Sequence, residues 1–202
     1  MITIVNYGIG NLGSLLNMFK RIGLKSCIES DPVVIRQAEK LVLPGVGAFD
    51  AAMSSINTVV GLREALDYKA LVTRTPILGV CLGMQLLTRS SDEGALPGLG
   101  WIPAVTTRFP KCDGLKVPHM GWNVALPNMP SLLTAQLGDE PRFYFVHSYC
   151  VHVDNSAHSL MKTHYGIAFD SAIGHDNIYG VQFHPEKSHR FGMQILKNFA
   201  EL

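Results

Sequence analysis

Cys81 is the residue whose neighbours most strongly indicate a catalytic nucleophile. It lies at the centre of Gly79-Val80-Cys81-Leu82-Gly83, between the apolar run 76–80 and the helical run 84–87. A nucleophile with glycines two positions away on each side, where a strand turns into a helix, is typical of a nucleophile elbow, because the sharp turn has room only for small neighbours. The turn would place the sulfur at a helix N-terminus, which favours the thiolate, and would direct the Leu82 N–H towards an oxyanion site.

A cysteine nucleophile needs a base, and His184 is the strongest candidate among the eight histidines. It closes the apolar run YGVQF, and Glu186 follows two residues later. At strand spacing these two side chains point to the same side, so the carboxylate would bond the ring and fix its tautomer. His-Pro-Glu alone is a weak signal, but after the Cys81 elbow it predicts a nucleophile, a base and a residue that orients the base.

A second glycine-flanked turn follows the run KLVLP at Gly45-Val46-Gly47. If sequential strands are neighbours, this turn lies beside Cys81, and the Val46 N–H becomes a second oxyanion donor. Gln85 is one helical turn after Cys81 and on the same face. It is therefore a candidate to bind a substrate amide or carboxylate, although a solvated helix residue is an equal alternative.

The first half of the chain predicts a parallel sheet covered on both faces, because strand and helix signals alternate. The strands are ITIVN, SCIES, KLVLP and TPILGVC, and the helical stretches are 12–22, 49–67 and 84–90. After Gly94 the runs FYFVHSY, CVHVD, SLMKTHY, GIAFD and NIYGVQF predict appended antiparallel strands, and a last helix is expected over 188–200.

The expected fold is thus a three-layer αβα domain over residues 1–202, with an open, mixed and mainly parallel sheet. The stretches 106–116 and 154–158 are expected to be surface loops. Ligands of such folds bind at the carboxyl ends of the parallel strands.

Composition argues against several classes of function. With 17 Lys+Arg against 16 Asp+Glu, nucleic acid is an unexpected partner. No apolar run reaches the roughly 18 residues of a membrane span, and the N-terminus is too short and polar for a signal peptide. The cysteines Cys27, Cys81, Cys112 and Cys150 are scattered, which favours a reducing cytoplasm and disfavours a zinc site. No metal or cofactor is expected.

Five segments together resemble a known family. PGVG at 44–47, GVCLGMQLL at 79–87, HMGWN at 119–123, YFVHSY at 144–149 and QFHPEKS at 182–188 are similar to class I (triad) glutamine amidotransferases. More specifically, they resemble the glutaminase subunits of imidazole glycerol phosphate synthase in histidine biosynthesis. The resemblance extends over nearly the whole chain, from GIGN to HPEKS.

The resemblance implies that the cysteine forms a glutamyl thioester from L-glutamine and releases ammonia. The ammonia then passes through a partner (β/α)₈ barrel, the cyclase subunit of a heterodimer, which makes imidazole glycerol phosphate and aminoimidazole carboxamide ribotide. It assigns glutamine binding to Gly45, Gly47, Gln85, Glu93, Ser148 and Tyr149. It assigns the partner surface to Asn11, Trp122, Tyr144 and Lys187.

Other interpretations stay open at this point. A paralogous glutaminase would supply ammonia to another synthase, and another cysteine hydrolase or a non-catalytic module would share the elbow. Gly8-Ile9-Gly10-Asn11-Leu12-Gly13 fits the G-x-G-x-x-G dinucleotide pattern, with Glu29 near the ribose position. Cys150-x-His152 is a weak zinc candidate, because its spacing fits no common ligand pattern.

Overall fold

A ten-stranded sheet organises the chain, whose computed structural model describes residues 1–111 and 114–202. The strands are β1 (Ile2–Val5), β2 (Ser26–Glu29), β3 (Lys40–Gly45), β4 (Ile77–Cys81), β5 (Ala104–Arg108), β6 (His119–Val124), β7 (Leu126–Pro127), β8 (Arg142–His147), β9 (Tyr149–Val153), β10 (Ser159–Tyr165), β11 (Ile167–His175) and β12 (Ile178–Val181). The helices are α1 (Leu12–Arg21), α2 (Pro32–Ile35), α3 (Phe49–Thr58), α4 (Leu62–Asp67), α5 (Leu82–Leu86) and α6 (His189–Glu201). None of the described helices is both long and apolar enough to cross a membrane.

Five parallel strands, in the order β2-β1-β3-β4-β12, form the centre of this sheet. Successive residues of β3 pack on opposite faces, as strand geometry requires. Val42 joins the core that α1 and α6 cover, whereas Leu41 and Leu43 join the core that α3 and α4 cover. The predicted three-layer arrangement is therefore confirmed.

The second half of the chain continues the sheet with antiparallel pairs. The order runs β12-β11-β10-β7, while β9 pairs with β11 and β5. β6 and β8 form a separate two-stranded sheet. The appended antiparallel strands are thus confirmed, with one refinement: β12, which contains part of NIYGVQF, lies parallel to β4 and completes the parallel centre.

Two local expectations were wrong. The stretch 106–116 does not begin as a loop, because Ala104–Arg108 is strand β5, in which the buried Thr106 pairs with Val151. The alternating AVTTR is too short and polar to stand out in the sequence. Cys112 and Asp113 lie outside the described residues. The helical stretch 49–67 is broken between α3 and α4 at Gly61, whose φ is +80°. In contrast, 154–158 is largely exposed, as expected.

The elbow glycines allow α5 to lie directly against the sheet. A Cβ at Gly83 would be 1.8 Å from the Leu43 carbonyl oxygen, and one at Gly79 would be 2.6 Å from the Gly83 oxygen. Both obstacles are backbone atoms, which cannot rotate away. The G-x-C-x-G pattern is therefore a packing requirement of the β4–α5 turn.

Gly83→Ala should lower the free energy of unfolding by about 2 kcal/mol or more, because overpacking against backbone forces the helix away from the strand. Gly13→Ala is the matched control. Gly13 lies in α1 with nothing within 4 Å of its Cβ position, so this change should be neutral or stabilising. Urea unfolding of both variants measures the difference, and equal stabilities would contradict the packing argument.

Candidate active site

Cys81 ends β4 with an unusual backbone conformation. Its φ is 57° and its ψ is −112°, a region that residues other than glycine rarely occupy and that costs about 1–3 kcal/mol. α5 begins at the next residue. The predicted elbow is therefore present, and its strain is concentrated at the residue that carries the sulfur.

His184 and Glu186 form a buried pair just after β12. Glu186 Oε1 lies 2.9 Å from His184 Nδ1, which leaves Nε2 as the nitrogen available for chemistry. The turn is attached to β8, since the His184 N–H donates to the Tyr144 carbonyl at 2.9 Å. Ser188 reinforces this attachment by donating to the His184 carbonyl at 2.6 Å and accepting from the Tyr144 N–H.

The electrostatics of the pair favour a protonated imidazole. Burial alone would lower the pKa of His184, but the adjacent Cys81 and Glu186 side chains outweigh burial and raise it to about 9. Nε2 has no hydrogen-bond partner among the described residues. A buried imidazolium with a free N–H beside a sulfur can deliver a proton to a leaving group in the cavity.

A cavity of about 330 Å³ opens at this edge of the sheet. Most of the predicted site residues line it: Val46, Gly47, Cys81, Leu82, Gln85, Glu93, Ser148, Tyr149 and His184. Pro118, Val146 and His147 also line it, although none of the three was predicted individually as a site residue. Gly45 lies behind the wall, where a Cβ would be 2.8 Å from Leu82 Cβ, so its role is close packing.

Glu93 reaches the cavity from the loop after α5. The Phe49 N–H, at the start of α3, donates to Glu93 Oε2 at 3.0 Å. Asp50 holds the same loop by accepting from the N–H groups of Ala95 and Leu96 at 2.9 and 3.0 Å. Burial raises the pKa of Glu93, against the opposing effect of the Phe49 hydrogen bond. Asp50 was missed by the sequence reasoning, although an acidic residue in a first helical turn is a recognisable signal.

Gln85 is buried, which excludes the solvated alternative for its side chain. Its Nε2 donates to the Tyr149 carbonyl at 3.3 Å and to Gln182 Oε1 at 3.1 Å. Gln182 Nε2 in turn lies 3.8 Å from Cys81 Sγ. Gln182 was not predicted, because a glutamine within an apolar strand run shows no pattern that identifies a partner.

A chain of neutral polar groups backs the opposite wall. The Tyr149 carbonyl can only accept, so His147 Nδ1, 2.7 Å away, carries a proton and His147 Nε2 accepts. His119 Nδ1 lies 2.9 Å from that nitrogen and must donate, which leaves His119 Nε2 to accept from Asn123 Nδ2 at 3.2 Å. Burial lowers the pKa of His147 to about 3 and that of His119 to about 4.

Three of the four predicted partner-surface residues cluster outside the cavity. The Trp122 ring lies 6.1 Å from that of Tyr144, and Lys187 Nζ lies 5.5 Å above the Tyr144 ring. Trp122 is half exposed and also stacks on His189. Asn11 caps α1 by accepting from the Ser14 N–H at 3.4 Å.

The G-x-G-x-x-G loop and the preceding Tyr7 pack against the end of β3, just before the Gly45-Val46-Gly47 turn. A Cβ at Gly10 would be 3.3 Å from Pro44 Cβ, and the buried Tyr7 hydroxyl donates to the Pro44 carbonyl. This glycine therefore allows close contact with the protein's own chain. Among residues 1–111 and 114–202, no group of three or more His, Cys, Asp or Glu side chains is arranged to hold a metal.

Known proteins with similar sequences identify the family of this chain. The family model for class I glutamine amidotransferases matches residues 3–202, and the chain belongs to this family of glutamine-hydrolysing enzymes. It is 50% identical over 201 residues to imidazole glycerol phosphate synthase subunit HisH 2 of Methanococcus maripaludis, covering 100% of this chain and 99% of the relative. It is 48% identical to the subunit of the same name from Pseudomonas aeruginosa, with 100% of both chains covered.

Solved structures show the same fold at low sequence identity. A glutamine amidotransferase crystal structure superimposes with a TM-score of 0.77 at 15% identity, covering 100% of this chain and 98% of the other. PurLQS from Thermotoga maritima gives 0.76 at 13% identity, with 99% and 97% covered. The family model and the full-length relatives confirm the resemblance found in the sequence, to class I glutamine amidotransferases and to imidazole glycerol phosphate synthase subunits.

The raised pKa of His184 predicts a pH-dependent contribution to stability. The folded value of about 9 exceeds the ordinary 6.5, so the contribution is complete below pH 6.5 and is lost as the pH rises through about 9. Glu186→Gln removes the negative charge that contributes to the raised pKa of His184. The difference in unfolding free energy between wild type and this variant should therefore be largest below pH 6.5 and should shrink towards pH 9.

Urea unfolding across this pH range provides the measurement. Glu140→Gln, at an exposed carboxylate 4.0 Å from Arg142, is the control, and its difference from wild type should stay nearly flat over the same range. A Glu186→Gln difference that grows with pH would contradict the assigned charge state.

Proposed function

We propose that this chain is the glutaminase subunit of an imidazole glycerol phosphate synthase, with Cys81 as nucleophile, His184 as base and Glu186 as the residue that orients the base. The observation that carries the proposal is the strained Cys81 elbow beside the buried His184–Glu186 pair at one cavity. The full-length relatives are named as subunits of this synthase, which supports the choice of synthase.

The reaction follows from the positions of these groups. The Cys81 thiolate attacks the side-chain amide carbon of L-glutamine, and the N–H groups of Val46 and Leu82 stabilise the oxyanion. As the tetrahedral intermediate collapses, the C–N bond breaks and protonated His184 gives its proton to the leaving ammonia. Neutral His184 then takes a proton from water, whose oxygen attacks the glutamyl thioester and releases glutamate, restoring the thiolate and the imidazolium.

The remaining cavity residues would bind the amino-acid end of glutamine. We assign this role to Gly47, Gln85, Glu93, Ser148 and Tyr149, with Gly45 shaping the turn behind them. Both Nε2 protons of Gln85 are already donated inside the protein, so its oxygen remains to accept from the substrate ammonium. The Glu93 carboxylate adds a negative charge that suits the same ammonium.

The acceptor of the ammonia is a cyclase subunit of (β/α)₈ form that we place on the surface of Asn11, Trp122, Tyr144 and Lys187. Met120, on the same strand as Trp122, is 62% exposed and adds apolar area. Ammonia would pass from the cavity into the core of the partner barrel. We locate the pair in the cytoplasm, in keeping with the free thiols of Cys27, Cys81 and Cys150.

A second candidate differs only in the acceptor. The two relatives described above both carry the number 2 in their names, as expected where one cell has two such subunits. This favours, as the second candidate, a paralogue that supplies ammonia to another synthase. Co-purification from the native cell identifies the partner. Recovery of the cyclase supports the histidine-pathway function, whereas another synthase supports the paralogue.

Cys81→Ser should abolish glutamine hydrolysis with the fold intact, because the change removes the nucleophile and little volume. A glutamine-analogue electrophile such as diazo-oxo-norleucine should label Cys81 and spare Cys150, whose buried thiol has a pKa raised to about 11. Glutamate release and mass spectrometry are the measurements, with Cys27→Ser as control. Wild-type hydrolysis by Cys81→Ser would exclude the proposed nucleophile.

The isolated chain should hydrolyse glutamine slowly until its partner binds. Gly47 has a φ of +105°, and glycines on both sides of Val46 let the turn change orientation at modest cost. Partner and nucleotide would favour the orientation that directs the Val46 N–H to the oxyanion, a donor worth about 10²–10³ in kcat. We expect kcat to rise by this order, with a smaller effect on KM.

Val46→Pro, which removes the N–H, should weaken this activation, while the control Val46→Ala should preserve it. Steady-state glutamate release with and without the cyclase and its nucleotide is the measurement. An equal kcat under all these conditions would exclude the switch and leave the glutaminase chemistry standing.

A further inference from the structure

Gln182 is a fully buried amide that the mechanism above does not use. It directly follows β12 and precedes His184 by two residues, and its N–H donates to the Ser171 carbonyl at 2.9 Å, which fixes its backbone to β11. Its side chain lies between Gln85 and Cys81. A buried polar side chain at this position requires partners, since an unpaired amide would be costly.

The orientation of the Gln182 amide follows from its neighbours. The Tyr149 carbonyl can only accept, so Gln85 must present Nε2 rather than Oε1 to it. The same Gln85 Nε2 lies 3.1 Å from the Gln182 amide. The atom of Gln182 that accepts this hydrogen bond, from the second N–H of Gln85, must be Oε1. Gln182 Nε2 therefore points the other way, towards Cys81 Sγ at 3.8 Å, a distance suited to a hydrogen bond to sulfur.

The Tyr149 carbonyl, from which this series of hydrogen bonds is assigned, is also held from the side opposite Gln85. The Tyr149 carbonyl also accepts from His147, which accepts from His119, which accepts from Asn123. Asn123 lies on β6 and also donates to the His164 carbonyl at 3.0 Å. Both N–H groups of the Gln85 amide are used, so rotation of the Gln182 amide would place two N–H groups against each other.

We propose that Gln182 is a positioning residue for the nucleophile: its Nε2–H donates to Cys81 Sγ, stabilises the thiolate and links it through Gln85 to the glutamine-binding wall. A donor to sulfur favours the charged form of a thiol. The same donor assists deacylation, because the thiolate is the leaving group when the glutamyl thioester is hydrolysed. The catalytic consequence rests on the proposed glutaminase function, whereas the contact with sulfur does not.

Gln182→Glu tests the proposal with nearly unchanged shape. The carboxylate still accepts from Gln85, but it cannot donate to sulfur and it adds a negative charge beside it. The pH midpoint of Cys81 alkylation by iodoacetamide should rise by about 1–3 units, as for a like charge at short range. In the complete complex with the partner, kcat should fall while KM changes little, because the Gln85 contact survives.

Gln194→Glu is the matched control. Gln194 lies on α6 and donates to Asn198 Oδ1 at 2.8 Å, so this change also removes one donor and adds one charge, but away from the cavity. Its alkylation midpoint should equal that of wild type. A shift of the same size in both variants would show a general charge effect and would overturn the role of Gln182.

Gln182→Met covers the case in which the buried charge prevents folding. It removes the donor without adding charge, and the midpoint should rise by less than in Gln182→Glu. A midpoint that stays at the wild-type value in a folded Gln182 variant would overturn the proposal. Alkylation needs no glutamine, so this failure is distinguishable from a failure of the glutaminase assignment, which would appear as wild-type protein without glutamine hydrolysis in the presence of its partner.

Discussion

The parallel register of β3, β4 and β12 is the constraint on which the rest of the site depends. Gly45 is paired with Cys81, and Val181 is paired with Val80. Since parallel strands end at the same edge of the sheet, the chain segments that follow all three strands emerge side by side. The Gly45-Val46-Gly47 turn, the elbow and the His184 turn are brought together by backbone hydrogen bonds, before any side chain contributes.

This arrangement concentrates strain and close packing at one point. Cys81 has a positive φ, and Gly83 leaves no room for a Cβ beside the Leu43 carbonyl. Such features persist only where the surrounding structure compensates for them. Here the compensation is the apolar core on each face of the parallel strands, which surrounds the elbow with fully buried side chains such as Leu78, Leu43 and Met84.

The buried polar groups around the cavity illustrate how a low-dielectric interior can hold many polar atoms. His119 and His147 avoid the cost of a buried charge by remaining neutral, with pKa values of about 4 and 3. His184 differs, because Glu186 and Cys81 are close enough to favour its charged form. Of these three buried histidines, two are therefore neutral and one is protonated, and the difference arises from the partners of each ring.

The sequence by itself determined the parallel α/β core and the residues that are able to take part in a reaction. The G-x-C-x-G pattern, His-Pro-Glu and PGVG depend on short spacings, which local geometry translates directly into an elbow, a hydrogen-bonded His184–Glu186 pair and a turn. The alternation of strand and helix signals was equally local. The weaker pattern of Ala104–Arg108 was missed, because a short polar edge of the sheet is specified by its pairing with β9 and not by its own composition.

Only the tertiary structure decided which distant residues meet. The placement of β12 beside β4 brings His184 to Cys81 from about half the chain away, and no local pattern encodes that pairing. The same applies to Gln182, His147, Asp50 and Ser188, whose contacts with Cys81, His119, Ala95 and Tyr144 join segments far apart in sequence. A hydrogen bond between such residues depends on the packing of whole elements, since its geometry tolerates only a few tenths of an ångström, and spacing along the chain does not carry that information.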